Sequence, residues 1–330
     1  MIKKILDNRT ALMGVMIIMI MIFHTRLHYN SHFTQIFVGW GFGGVDGFLF
    51  LSALGLFYSF SKDDCTLSFY KKRFVRIIPS YFIIVLFANL LKCNTNIVDI
   101  LVQVSTIGFW IPSFLSYFDW FVPSLIIIYL FFPLYYRVFI LSPLKVTVLF
   151  VFIFIVLSLL YALNNDYNIN MMYFLCRVPI FLLGLLFAYY NYSNFNLFEK
   201  KKNIIISVSV SIIGFVLWFF LKALLTYNQF NSSTLNWTLF VLIIPGFLYV
   251  LTFLIESNRT LNRSLNFLGA ISLELYLIHE HMTFKYALML RSLISASFPM
   301  ILIFVFLSLI SILLAFGTHR IVSSIAIKLL

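Results

Sequence analysis

What most constrains this chain is a succession of eleven apolar runs joined by short polar segments. They are Ala11–Phe23, Phe37–Phe60, Ile77–Leu91, Ile97–Tyr117, Phe121–Tyr136, Val146–Leu163, Met171–Tyr190, Ile204–Leu225, Trp237–Ile255, Leu265–Phe284 and Pro299–Phe316. A stretch of about 20 apolar residues crosses the hydrocarbon core of a bilayer as a helix. Inside that core every backbone N–H and C=O must bond within its own segment, which leaves helices and closed barrels as the options. The runs are too long for barrel strands, so the fold class is all-α, a polytopic membrane helical bundle. Composition agrees: 62% of residues are hydrophobic and only 10% charged, against roughly half and a quarter in soluble domains. About ten helices and their joints fill the length. Residues 1–330 therefore read as a single integral membrane domain with no appended soluble domain. The opening Lys3-Lys4 and Ala11–Phe23 resemble a signal peptide, but no small-residue cleavage site follows, so the run reads as a retained first helix.

Charge decides which runs cross. Cytoplasmic joints of membrane proteins are enriched in Lys and Arg. If all eleven runs span, Lys200-Lys201-Lys202 and Arg259/Arg263 fall outside. Ile97–Tyr117 is the most polar run, with Asp99, Gln103 and Thr106, and with Gly108 and Pro112 as breakers. Reading it as re-entrant or interfacial places 17 of the 23 cations inside and leaves Arg26, Lys92, Arg177, Lys222, Lys285 and Arg291 outside. Ten crossings with both termini cytoplasmic follow. The densest basic run, Tyr70-Lys71-Lys72-Arg73-Phe74-Val75-Arg76-Ile77-Ile78-Pro79, then lies on the inner side. The net charge of +12 is thus accounted for by topology and not by nucleic acid. The outer joints Asn164–Asn168 and Asn228–Ser233 are polar and carry few charges. The Asn-x-Ser/Thr triplets at Asn191, Asn231 and Asn258 read as chance in an Asn-rich chain. Cys65, Cys93 and Cys176 show neither metal spacing nor a disulfide framework.

Ionisable residues within membrane segments are functional candidates. Here they are few. His24 ends the first helix, Asp46 lies in Gly43-Gly44-Val45-Asp46-Gly47, and Glu274, His279 and Glu280 lie in Ser272–His281. All five fall in the middle or outer half of the bilayer. A His beside a carboxylate makes a general base, although His24 also suits a helix end that simply touches water. His28 and His32 read as loop residues. Neighbours such as His279 and Glu280 point to different faces of an α-helix, so only one or two of the late set are expected to face a common cavity. Arg73 and Arg76 share a face at i,i+3. They are either a cytoplasmic anchor or forked donors for phosphate. Asp119 and Trp120 form an interface belt, or line the cavity at its outer edge.

Four features, in order and over nearly the whole chain, resemble the membrane-bound acyltransferase family 3, which includes bacterial polysaccharide O-acetyltransferases. They are Ile20-Met21-Ile22-Phe23-His24, Gly43–Ser52, Arg73-x-x-Arg76-Ile77-Ile78-Pro79 and Ser272–His279. Phe121–Ser124 and Phe181–Gly184 add weaker agreement. The resemblance implies transfer of an acyl group, usually acetyl, from cytoplasmic acyl-CoA to a sugar hydroxyl at or beyond the outer face. It implies that His24 is the essential histidine and that Arg73 and Arg76 engage the CoA phosphates. Many members carry Arg eleven residues before the histidine, where this chain has Met13. Arg9 lies about 60° from His24 around the helix and could serve instead. Ser52-Ala53-Leu54 stands where the family has Ser-Gly-Phe. About 27 Å of helix separate Asp7 from His24, so the thioester reaches into a pore or the acyl group is relayed.

The resulting expectation is an O-acyltransferase using acetyl-CoA and no metal. His24, Asp46 and Glu274 are the catalytic set, Arg73, Arg76 and Arg9 bind the donor, and His279, Trp120 and Asp119 bind substrate. Its partners are the lipid bilayer, acyl-CoA, a surface glycan or lipid-linked sugar as acceptor, and glycan-assembly proteins. Its place is the bacterial inner membrane. The rival readings are a transporter or flippase of a glycan precursor and a catalytically inactive member of the same family.

Overall fold

The structure is a computed structural model, and it describes residues 1–25, 38–111, 116–162, 169–193, 197–227, 237–294 and 299–329. Arg26, His28, His32, Asn231 and the joints 164–168 and 228–233 lie outside them. The described secondary structure is helical. In chain order the helices are α1 (Ile2–Asp7), α2 (Arg9–His24), α3 (Gly44–Lys62), α4 (Thr66–Leu91), α5 (Ile97–Ser105), α6 (Ile107–Trp110), α7 (Phe121–Phe139), α8 (Pro143–Ala162), α9 (Ile169–Leu175) and α10 (Val178–Tyr192). They continue with α11 (Lys201–Tyr227), α12 (Phe240–Ser257), α13 (Arg259–Ala270), α14 (Ser272–Ile278), α15 (Ala287–Ile294) and α16 (Met300–Leu329).

Eight helices among the described residues are long and apolar enough to cross a membrane. Each coincides with one of the ten crossings read from sequence. The two crossings without such a helix are Ala11–Phe23 and Leu265–Phe284. The first is the 16-residue α2. The second is broken into α13, α14, a π-helical turn over His279–Thr283, a 3-10 turn over Phe284–Tyr286 and then α15. These two short or broken segments carry His24 and the Glu274–His281 set.

Among its described residues the run Ile97–Tyr117 forms α5 and α6, and its own polar residues explain why. Asn96 caps α5 by accepting from Val98 N and Asp99 N. Gln103 accepts from Asn89 of α4 at 2.8 Å and donates to Asp99 at 3.1 Å and to Ser116 at 3.0 Å, while its carbonyl accepts from the Tyr81 hydroxyl. Thr106 takes a left-handed conformation, φ 64°, and ends α5. A span through lipid would leave these groups unpaired, whereas folding back on α4 satisfies them. The Ser116 hydroxyl, together with Asn94, Gln103 and Lys92, holds the Asp99 carboxyl below the usual carboxylate range.

The described chain forms two compact units. The first comprises Met1–Met16, Phe42–Cys65 and Phe131–Gly269. Its centre is α3 against α10. The spans containing them are 72% buried, while those of α8 and α11 are 11% and 17% buried and face outward. Close approach is set by small residues, as in membrane helix pairs generally. A Cβ added at Gly184 would lie 2.8 Å from Ala53 Cβ and 2.9 Å from the Phe50 carbonyl oxygen. The amino-terminal part of α2 crosses α13 backbone to backbone. A Cβ at Gly269 would overlap the Thr10 carbonyl, and one at Gly14 the Leu265 carbonyl. The second unit comprises Ile17–Gly41, Thr66–Leu130 and Ala270–Leu330. In it α16 packs along α14 and α4, and the segment 279–286 lies against α16.

Candidate active site

The second unit holds the largest concentration of chemistry. His24 ends α2, with its side chain 16% exposed, and its Nδ1 lies 2.8 Å from Nε2 of the fully buried His279. The two rings stack with centroids 5.0 Å apart. His279 Nδ1 lies 2.8 Å from the Leu275 carbonyl oxygen, one turn earlier. A carbonyl can only accept, so His279 Nδ1 carries a proton and donates it. In the neutral pair His279 Nε2 is then the acceptor and His24 Nδ1 the donor. His24 Nε2 then carries the lone pair that a general base requires, on the side that faces Glu280. A backbone carbonyl and a second imidazole thus fix the tautomer of His24, where the sequence pointed to a carboxylate. Glu280 Oε1 lies 3.8 Å from His24 Nε2, close enough to stabilise the imidazolium once it forms.

The π turn brings these groups together. In an α-helix His279, Glu280 and His281 would fan out over 200°, which is why only one or two were expected to share a cavity. The wider turn alters that register. His24 meets both His279 and Glu280, and His281 Nε2 lies 3.9 Å from Glu280 Oε2 and 3.5 Å from Asp119 Oδ1. π turns inside α-helices are frequent at functional sites.

Asp119 is buried and anchored. Its Oδ2 accepts from Val122 N, capping α7, and its Oδ1 accepts from the Tyr276 hydroxyl at 2.9 Å. Trp120 follows it, stacked edge-on with Phe121, and its carbonyl accepts from Ser124. Glu274, placed in the catalytic set from sequence, accepts from the Ser80 hydroxyl of α4 at 2.7 Å and lies 3.3 Å from His319 Nδ1 of α16. Its described contacts tie α14 to its neighbours. Ser80 and His319 had no sequence signal, because each meets Glu274 across more than forty residues of chain. Further along α4, Arg73 lies over the Phe69 ring at 5.8 Å. Its buried Nε has no hydrogen-bond partner among the described residues. Arg76, one turn on, is exposed. A half-buried guanidinium with an unused donor beside an exposed one fits an anion with several oxygens.

In the first unit Asp46 is 1% exposed and lies 3.7 Å from Arg177 Nε. Arg177 sits among the rings of Phe42, Tyr173 and Trp237 at 5.3 to 5.8 Å and donates to the Tyr173 carbonyl. Sequence counted Arg177 only as an outer cation. Its sign of function is burial, which a sequence does not show. Arg9 donates its Nε–H to the Leu51 carbonyl at 2.9 Å, with its guanidinium over Gly55 of α3.

A family model described as an acyltransferase domain matches residues 11–320. The chain belongs to membrane acyltransferase family 3. No curated protein and no solved structure matches it. The protein is accordingly a multi-pass membrane acyltransferase. The acyltransferase match takes in His24, Asp46, Arg73, Arg76, Glu274 and His279 together and excludes Arg9, which precedes it by two residues.

Proposed function

We propose that the protein is an O-acyltransferase of the bacterial inner membrane. It moves an acetyl group from cytoplasmic acetyl-CoA to a hydroxyl of a surface glycan or lipid-linked sugar. The observation that carries this reading is the chain from the Leu275 carbonyl through His279 to His24, which puts the proton of the neutral His24 on Nδ1 and the basic lone pair on Nε2.

In this mechanism the acceptor hydroxyl attacks the thioester carbonyl while its proton passes to His24 Nε2. The tetrahedral intermediate collapses, the C–S bond breaks, and the imidazolium returns the proton to the departing CoA thiolate. His279 accepts from His24 Nδ1 throughout, and Glu280 faces the charge that appears on the ring. Arg73 and Arg76 hold the CoA phosphates, for which the Arg73 Nε, unpaired among the described residues, is the supporting feature. Asp119 and Trp120 border the acceptor side. Asp46 and Glu274 act through the residues they hold, Arg177 in one case and Ser80 and His319 in the other.

The test is transfer of labelled acetyl from acetyl-CoA by the purified protein in lipid. His24→Ala should lose at least about 10²-fold in rate, the usual value of a positioned base. An unchanged rate overturns the mechanism.

A further inference from the structure

Between α4, α16 and the segment following the π turn, the second unit holds a groove of about 380 Å³ with an almost wholly apolar wall. Phe87 and Leu91 of α4 form one side, Met282, Tyr286 and Met289 another, and Leu307 of α16 the floor. Phe87, Leu91 and Met289 are each about half exposed, so the groove opens sideways to lipid. Met282 and Thr283, which line it, belong to the same π turn as His279.

Cations gather at this groove against expectation. The topology drawn from charge leaves six cations outside, and three of them are chain neighbours of groove-lining residues. Lys92 follows Leu91, Lys285 precedes Tyr286 and Arg291 follows Leu290. Lys92 and Lys285 are both exposed and lie close enough to repel. Partial burial first, and then the charge of Lys285, push the Lys92 amine below its ordinary value, with Asp99 opposing. Lys285 sits 4.7 Å over the Tyr286 ring. The buried Nε of Arg291 has no hydrogen-bond partner among the described residues. Lys285 thus sits over a ring of the groove wall, and Lys92, which lies over the Phe118 ring at 5.9 Å, is within its electrostatic reach. Positive charge beside an apolar groove is complementary to a ligand with an anionic head and a hydrocarbon tail.

We propose that the groove seats the first isoprene units of a lipid-linked sugar acceptor, with Lys92 and Lys285 on its phosphates. The sugar beyond the phosphates is thereby delivered to the π turn that carries His279. This deepens the acyl-transfer reading and rests on it for the role of the sugar.

The experiment uses the full chain in lipid nanodiscs and a short-chain isoprenyl diphosphate bearing a terminal diazirine. On illumination the probe should label the segment 282–290. The Lys92→Gln/Lys285→Gln double variant should cut labelling about tenfold, the value of one or two charge-assisted contacts. Met289→Trp narrows the groove at a half-exposed position and should cut it as well with both lysines intact. Excess phosphatidylglycerol should compete poorly. Labelling unchanged in both variants, or removed equally by phosphatidylglycerol, overturns the proposal, the latter because the groove then holds bulk lipid. Where acetyl is transferred, transfer to an isoprenyl-diphosphate-linked glycoside should exceed transfer to the free glycoside, and equal measurable rates also overturn it. If labelling behaves as expected and no acceptor is acetylated, the acyl-transfer reading falls and the groove's ligand stands.

Discussion

His279 does not need to touch either substrate to matter, because it decides which nitrogen of His24 holds the proton. His279→Ala should lower kcat about 10- to 100-fold while the KM for acetyl-CoA stays unchanged. His279→Gln keeps an acceptor and should lose less; steady-state kinetics of the two variants separate positioning from mere packing. Arg9 offers a second test. A methyl group at Gly55 would come within 2.8 Å of its guanidinium, the far end of a flexible side chain. Gly55→Ala should therefore swing Arg9 aside at a stability cost below about 1.5 kcal/mol. If Arg9 binds the donor, the KM for acetyl-CoA rises in that variant, and an unchanged KM removes Arg9 from the donor site. His24 and His279 were both legible as candidates, since ionisable groups in apolar runs are few. Their contact was not, because 255 residues of chain separate them. Asp46 was legible by its acidity, but its partner Arg177 looked like any loop cation.

At the level of elements, periodicity and charge are sufficient for the long helices, because hydrocarbon allows them no other way to satisfy their backbones. They fail where polar groups pair locally, as Asn89, Asn96 and Gln103 do around α5, and where the helix leaves its regular pitch. The α2–α13 crossing is an element-scale feature that sequence did not reveal, since Gly14 and Gly269 are unremarkable apart. Gly269→Val drives a side chain into the Thr10 carbonyl, which is backbone and cannot swing away. The cost should be about 2–3 kcal/mol, read as a lowered Tm of the detergent-solubilised protein, while Gly39→Val, which meets nothing within 4 Å, leaves Tm unchanged.

For the whole molecule, sidedness comes from the distribution of cations, and the chain carries its own reporters of it. Cys65 and Cys93 are exposed at the two ends of α4, and Cys176 is buried. The 26 residues between Thr66 and Leu91 span about 39 Å, enough to place the two thiols on opposite sides of a bilayer. With the basic run of α4 cytoplasmic, an impermeant maleimide applied to intact cells should modify Cys93 and spare Cys65, and permeabilisation should expose Cys65. The reverse pattern inverts the topology and puts Arg73 and Arg76 on the side away from acyl-CoA.

The π turn has a further consequence. It holds one residue more than an α turn of the same span, and it is fastened at both ends: upstream by Glu274 on Ser80, downstream by Thr283 on Ser311 at 2.7 Å. Deleting a single residue from 280–282 would therefore restore ordinary pitch with both flanks still in phase and both fastenings kept. What it would undo is the register that lets His24 meet His279 and Glu280 together. The extra residue serves the site and not the packing, so its deletion should cost far more in transfer rate than in Tm.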